Sequence, residues 1–117
     1  MKKIYHLSTC DTCKRIVREL DLPAETEFQD IKSSPLQDDQ LEELHRRAGS
    51  YEALFSKRAR LYKERNLKER SLEDLDYREL LLDHYTFLKR PVVVLDDRIF
   101  IGNAARTVAA AKEALQS

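Results

Sequence analysis

Apolar and polar positions alternate over Lys3-Ile4-Tyr5-His6-Leu7 and again over Glu27-Phe28-Gln29-Asp30-Ile31, the period of a strand. Between them Ile16, Val17 and Leu20 fall on one side of a helix that the pattern ends near Asp21, ahead of Pro23. Ser8 and Thr9 read as the turn into that helix, with Asp11 or Thr12 as its cap. Two strands joined by a helix of this length predict a βαβ unit, parallel and right-handed.

A second helix is expected to open at Ser34-Pro35-Leu36, to place Leu41 and Leu44 inward, and to end at Gly49. From Ser50 to Leu88 no strand period occurs. Tyr51, Leu54 and Phe55 suggest a helical turn, and the basic run Ser56-Lys57-Arg58-Ala59-Arg60 follows. Ser71-Leu72-Glu73-Asp74 has the form of a capping box ahead of a helix over Leu75–Leu82. Tyr62, Tyr77 and Tyr85 read as packing residues. Pro91-Val92-Val93-Val94-Leu95 reads as a buried strand, Asp96-Asp97 as a turn, and Arg98-Ile99-Phe100-Ile101 as its hairpin partner. Gly102-Asn103 then leads into an Ala-rich helix expected to end at Ser117. The order is β-α-β, a helical middle, then β-β-α, without repeats, linkers or low-complexity tracts.

A chain of 117 residues has room for one core, and its 36% of charged residues suits a small domain with exposed helices. Lys plus Arg and Asp plus Glu each total 21, so no net field draws the chain to nucleic acid or to an anionic membrane. No apolar run approaches the ~20 residues of a membrane span, and the start lacks the apolar core of a signal peptide. A cytoplasmic location follows as the expectation. In that reducing compartment a disulfide is transient rather than structural.

Against this background Cys10-Asp11-Thr12-Cys13 stands out, because it holds the only two cysteines, spaced C-x-x-C after a strand and at the head of a helix. Unpaired N–H groups at a helix N-terminus favour thiolate over thiol, and the thiolate is the nucleophile. Cys10 is therefore the candidate attacking thiol. Cys13, a turn deeper, is the candidate resolving thiol of a Cys10–Cys13 redox disulfide. Zinc would need about four ligands, and His6, His45 and His84 offer no H-x3-5-H spacing, so no metal is expected. Two inert buried cysteines remain the competing reading.

The element order, the C-x-x-C after the first strand and the proline opening the third resemble the thioredoxin fold. More narrowly, three segments resemble the arsenate reductase-like ArsC/Spx family: Ile4 to Lys14, Ser56-Lys57-Arg58-Ala59, and Leu88-Lys89-Arg90-Pro91-Val92-Val93-Val94. The resemblance spans the chain. It implies a single α/β domain over 1–117, with a thioredoxin-like, glutaredoxin-like four-stranded mixed sheet and a helical insertion at about 36–88 between strands two and three. In that fold we expect a parallel pairing between the strands near Lys3–Leu7 and Pro91–Leu95. The resemblance also implies that Cys10 is the nucleophile, that Arg58 and Arg90 belong to an anion site, that Pro91 is cis and faces Cys10, and that His6 supports the thiol.

Arg90 precedes a proline, which restricts its backbone, and its planar guanidinium suits an oxyanion or a glutathione carboxylate. Arg60, Lys14 and Arg15 read more plainly as solvated charges. The implied activity is that of an oxidoreductase with no bound cofactor, glutathione as co-substrate, and glutaredoxin or thioredoxin as partner to a monomer. Two departures favour an alternative, an Spx-like redox-switched regulator binding the RNA polymerase α subunit. Cys13 supplies an internal resolving thiol, and Ile101-Gly102 stands where the arsenate reductases carry a third arginine. Gly49 to Arg58 also resembles the regulators, whereas the longer basic tail typical of them is not part of this sequence.

Overall fold

The computed structural model describes residues 1–116, so the expected helix end at Ser117 lies outside the described residues. The chain divides into two compact units, one of Met1–Ser34 with Arg90–Ser117 and one of Pro35–Lys89.

The first unit carries the sheet. Strands β1 (Lys2–His6), β2 (Glu27–Asp30), β3 (Val92–Leu95) and β4 (Arg98–Ile101) lie in the order β2-β1-β3-β4, with helix α1 (Asp11–Leu20) and the C-terminal helix (Ala105–Gln116) alongside. β1 and β2 are parallel with Ile4 opposite Phe28. β3 and β4 form the expected antiparallel hairpin. Its Asp96-Asp97 turn places Asp96 at φ +57°, the left-handed conformation that tight hairpin turns require.

The expectation of a parallel β1–β3 pair is wrong. The two strands are antiparallel, with Ile4 opposite Val93 and Tyr5 opposite Val92. The reason is topological. The chain leaves the sheet after β2, which runs alongside β1, and re-enters it at that same end, so β3 must run back against β1. This direction brings Arg90 and Pro91, just ahead of β3, to the end of β1 from which the Cys10 turn departs.

One sheet face forms a core. Ile4, Val93 and Leu95 meet Ile16 and Leu20 of α1 and Val108 and Ala111 of the C-terminal helix, all buried. Antiparallel register puts Ile4 and Val93 side by side, and the 3.6-residue period carries Ile16 and Leu20 onto them. α1 stops at Asp21, whose left-handed φ of +49° ends the helix as expected. Its N-cap, however, is Cys10, not Asp11 or Thr12, which occupy the first two helical positions.

The second unit, Pro35–Lys89, is helical. α2 (Asp38–Ala48) begins later than expected, because Gln37 and Gln40 cap it reciprocally while Pro35 and Leu36 stay outside the helix. It ends at Gly49, at φ +91°, whose N–H donates to the His45 carbonyl at 2.9 Å. After the short α3 (Arg60–Glu64), α4 (Asp74–Asp83) is capped by Glu73 with Asp76 in place of the Ser71–Asp74 pair. The Asp74 carboxylate is engaged elsewhere, accepting the Tyr51 and Glu52 N–H groups at 3.1 Å. Phe55 stacks on Phe87 at 5.1 Å with Tyr62 and Tyr77 edge-on, so these tyrosines pack as expected. The final helix of the chain, Ala105–Gln116, is α5. Among the described residues, no helix is long and apolar enough to cross a membrane.

Candidate active site

A turn closed by the Cys10 N–H donating to the Leu7 carbonyl at 3.0 Å ends β1 and delivers Cys10 to the head of α1. Cys10 takes the extended N-cap conformation, φ −90° and ψ 118°, and its carbonyl accepts the first helical bond, from the Lys14 N–H at 3.0 Å. An N-cap side chain is directed at the N–H groups two and three residues on. Here those belong to Thr12 and Cys13, so a sulfur occupies the place where a serine or aspartate oxygen would usually sit. The sulfur makes no hydrogen bond of strict capping geometry. It experiences the two N–H groups as dipoles.

The electrostatics separate the two thiols. Partial burial works to raise the Cys10 thiol, but the Cys13 N–H, the Cys13 thiol, the Thr12 N–H and the Arg90 charge outweigh it, and the net result lies below the ordinary cysteine value. Cys13 is 1% exposed. Burial, together with the charge of Cys10 and the donation of its own S–H toward that sulfur, pushes Cys13 up to about 11, against the opposing pull of the Leu7 N–H and Arg90. The two cysteines are unbridged in this structure. The spacing thus produces an accessible thiol inclined to ionise and a buried one inclined to keep its proton.

Arg90 supplies the positive charge felt by both sulfurs, and its Nε atom is buried. The Arg90–Pro91 bond is cis, as the resemblance led us to expect, and the Pro91 carbonyl accepts the Gly102 N–H at 2.9 Å. Gly102, at φ +93°, brings no side chain to this loop.

His6, at the end of β1, packs its ring edge-on against Phe28 at 5.5 Å and lies opposite Asp30 of β2. Burial lowers its pKa while Asp30 opposes the shift, so the imidazole is neutral at neutral pH. Arg58 belongs to the second unit, exposed in the turn before α3. Lys14 and Arg15 pair along α1 with Asp11 and Glu19, at 4.0 and 3.7 Å, and Arg60 pairs with Glu64 at 3.4 Å, the solvated charges that the sequence suggested. Among the described residues, no group of three or more His, Cys, Asp or Glu side chains could hold a metal.

The sequence reading did not single out Asp30, whose carboxylate accepts the Ser8 hydroxyl within the Cys10 turn. The available signal was a carboxylate closing the strand parallel to β1.

A family model described as the ArsC family matches residues 5–111. The chain belongs to the ArsC family. Its solved likenesses agree. An arsenate reductase from Vibrio cholerae superposes with a TM-score of 0.76 at 20% identity, over 96% of this chain and 95% of that one. A putative arsenate reductase from Yersinia pestis gives 0.71 at 22% identity over the whole of both chains. At these identities the likeness shows the fold alone. The SACOL0876 protein from Staphylococcus aureus COL gives 0.76 at 27% identity, over 94% and 97%. No curated protein matches the sequence significantly. The fold of this ArsC-family chain is the thioredoxin-like α/β fold, and such a fold supports thiol redox chemistry in general.

Proposed function

We propose that this ArsC-family protein is a thiol–disulfide reductase acting through Cys10, with glutathione and glutaredoxin as its source of electrons. The observation that carries the reading is the division of labour in the C-x-x-C. Cys10 is an N-cap thiol inclined to ionise, and Cys13, one turn deeper, is buried and held protonated.

In the oxyanion version, the Cys10 thiolate attacks the pentavalent centre of arsenate, an As–O bond breaks, and the oxygen leaves as water after protonation. Cys13 then loses its proton and attacks the Cys10 sulfur. The S–As bond breaks, its electron pair stays on arsenic, and trivalent arsenite is released. The two cysteines are thereby oxidised by two electrons to a disulfide, which two glutathione thiols reduce, directly or through glutaredoxin. Arg90 stabilises the Cys10 thiolate and offers its guanidinium to the anion. Pro91 lines the same loop, and His6 supports the end of β1 as a neutral ring.

The second reading, a redox-switched regulator docking on the RNA polymerase α subunit, draws on the Ile101-Gly102 pair, because a glycine there brings no third cation to an oxyanion. One comparison separates the two. Arsenate-dependent NADPH consumption with glutathione, glutaredoxin and glutathione reductase, abolished by Cys10→Ser, supports the reductase. Absence of turnover together with redox-dependent capture by purified α subunit supports the regulator.

A further inference from the structure

The turn that presents Cys10 is tied to the end of β2. Ser8 Oγ donates to Asp30 Oδ2, and Asp30 Oδ1 accepts the Lys32 N–H at 3.1 Å. The backbone on either side is joined as well. Ile31 N–H donates to the His6 carbonyl at 2.9 Å, and Ser34 N–H to the Asp30 carbonyl at 2.8 Å. Asp30 is therefore fixed at both its backbone and its carboxylate, and it grips the first residue of a two-residue turn whose far end is the N-cap cysteine. Ser8 and Thr9 are exposed, so packing does not hold that turn in place.

We propose that Asp30, acting through the Ser8 hydroxyl, is a positioning residue that keeps the Cys10 sulfur over the Thr12 and Cys13 N–H groups. The inference rests on the reading of Cys10 as the reactive thiol. It has a sign that a simple charge effect lacks. A carboxylate acting on Cys10 only as an anion would oppose the thiolate, and deleting it would lower the thiol's pKa. A carboxylate acting as a latch favours the thiolate, and deleting it would raise the pKa. The groups facing this carboxylate are the Ser8 hydroxyl and N–H, the Lys32 N–H and the His6 imidazole, while the charge acting on Cys10 itself comes from Arg90.

The test is the pH profile of Cys10 alkylation by iodoacetamide in the full chain, read by peptide mapping for wild type, Ser8→Ala, Ser8→Thr and Asp30→Ala. Ser8→Ala breaks the latch and leaves the carboxylate charge in place. Its midpoint should rise by about half a unit, about a threefold loss of thiolate below the midpoint, and Ser8→Thr should restore the wild-type value. Asp30→Ala should also move upward. An unchanged midpoint in Ser8→Ala, no rescue by Ser8→Thr, or a downward shift in Asp30→Ala would overturn the proposal. Should Asp30→Ala not fold, the serine pair decides alone. A wild-type midpoint no lower than that of free cysteine would instead overturn the reading of Cys10 itself, and it is measured before any variant is compared.

Discussion

Selective alkylation of the two cysteines tests the site directly, and its expected size follows from the structure. Burial and the neighbouring Cys10 charge place the Cys13 thiol at about 11. At pH 7 such a thiol is only about 0.01% ionised, against about 3% for a free cysteine near 8.5, a deficit of roughly 300-fold. A more basic thiolate is intrinsically more nucleophilic, and a Brønsted slope of about 0.45 over that interval returns roughly 13-fold. Cys13 should therefore react about 25-fold more slowly than free cysteine from ionisation alone. Its 1% exposure slows it further. Cys10 is shifted the other way and is partly exposed, so it should label well ahead of Cys13. Initial rates from limited iodoacetamide treatment and peptide mapping measure the difference. They must be initial rates, because the Cys10 charge contributes to the Cys13 shift and alkylation removes it. Comparable labelling of both thiols, or Cys13 labelling first, would refute the assignment of nucleophile and resolver.

Three further outcomes are expected. Arg90→Ala should raise the midpoint of Cys10 alkylation and Arg90→Lys should raise it less, since the guanidinium charge lowers that thiol; identical profiles would remove Arg90 from the site. Ile16→Ala should cost about 2–5 kcal/mol in urea unfolding, because Ile16 is fully buried between α1 and the sheet, and a loss below 1 kcal/mol would contradict that packing. Stability should fall with acid in two steps. His6, lowered chiefly by burial, binds a proton more readily when unfolded, so its contribution is present above about pH 6.5 and is lost as the pH falls toward its folded pKa. Asp30, lowered chiefly by the Ser8 hydroxyl, contributes above about pH 4 and loses that contribution as the pH falls through its folded value. A urea midpoint that rises as the pH falls from 7 to 5 would contradict the first sign, and one that rises below about pH 4 would contradict the second.

The patterns of Lys3–Leu7 and Ile16–Leu20 and the unbroken apolar run of Val92–Leu95 were sufficient to place β1, α1 and β3, because side-chain spacing follows local geometry and a run of consecutive apolar residues suits a strand covered on both faces. The C-x-x-C and Arg90-Pro91 were equally legible, since residue type and spacing carry their chemistry. Caps were less so. Cys10, Gln37 and Glu73 became N-caps because competing donors and acceptors were settled locally by geometry, with Asp74 drawn off by the Tyr51 and Glu52 N–H groups. What only the tertiary structure decided was direction and proximity. Strand pattern is the same read forward or backward, so it could not show that β3 runs against β1. That reversal brings Arg90 near the Cys10 thiol, and the parallel register of β2 sets Asp30 beside Ser8. The chemistry-bearing residues were written in the sequence, and the Thr12 and Cys13 N–H groups that act on Cys10 are its near neighbours in the chain; the burial of the thiols and the Arg90 charge beside them exist only once the sheet has formed.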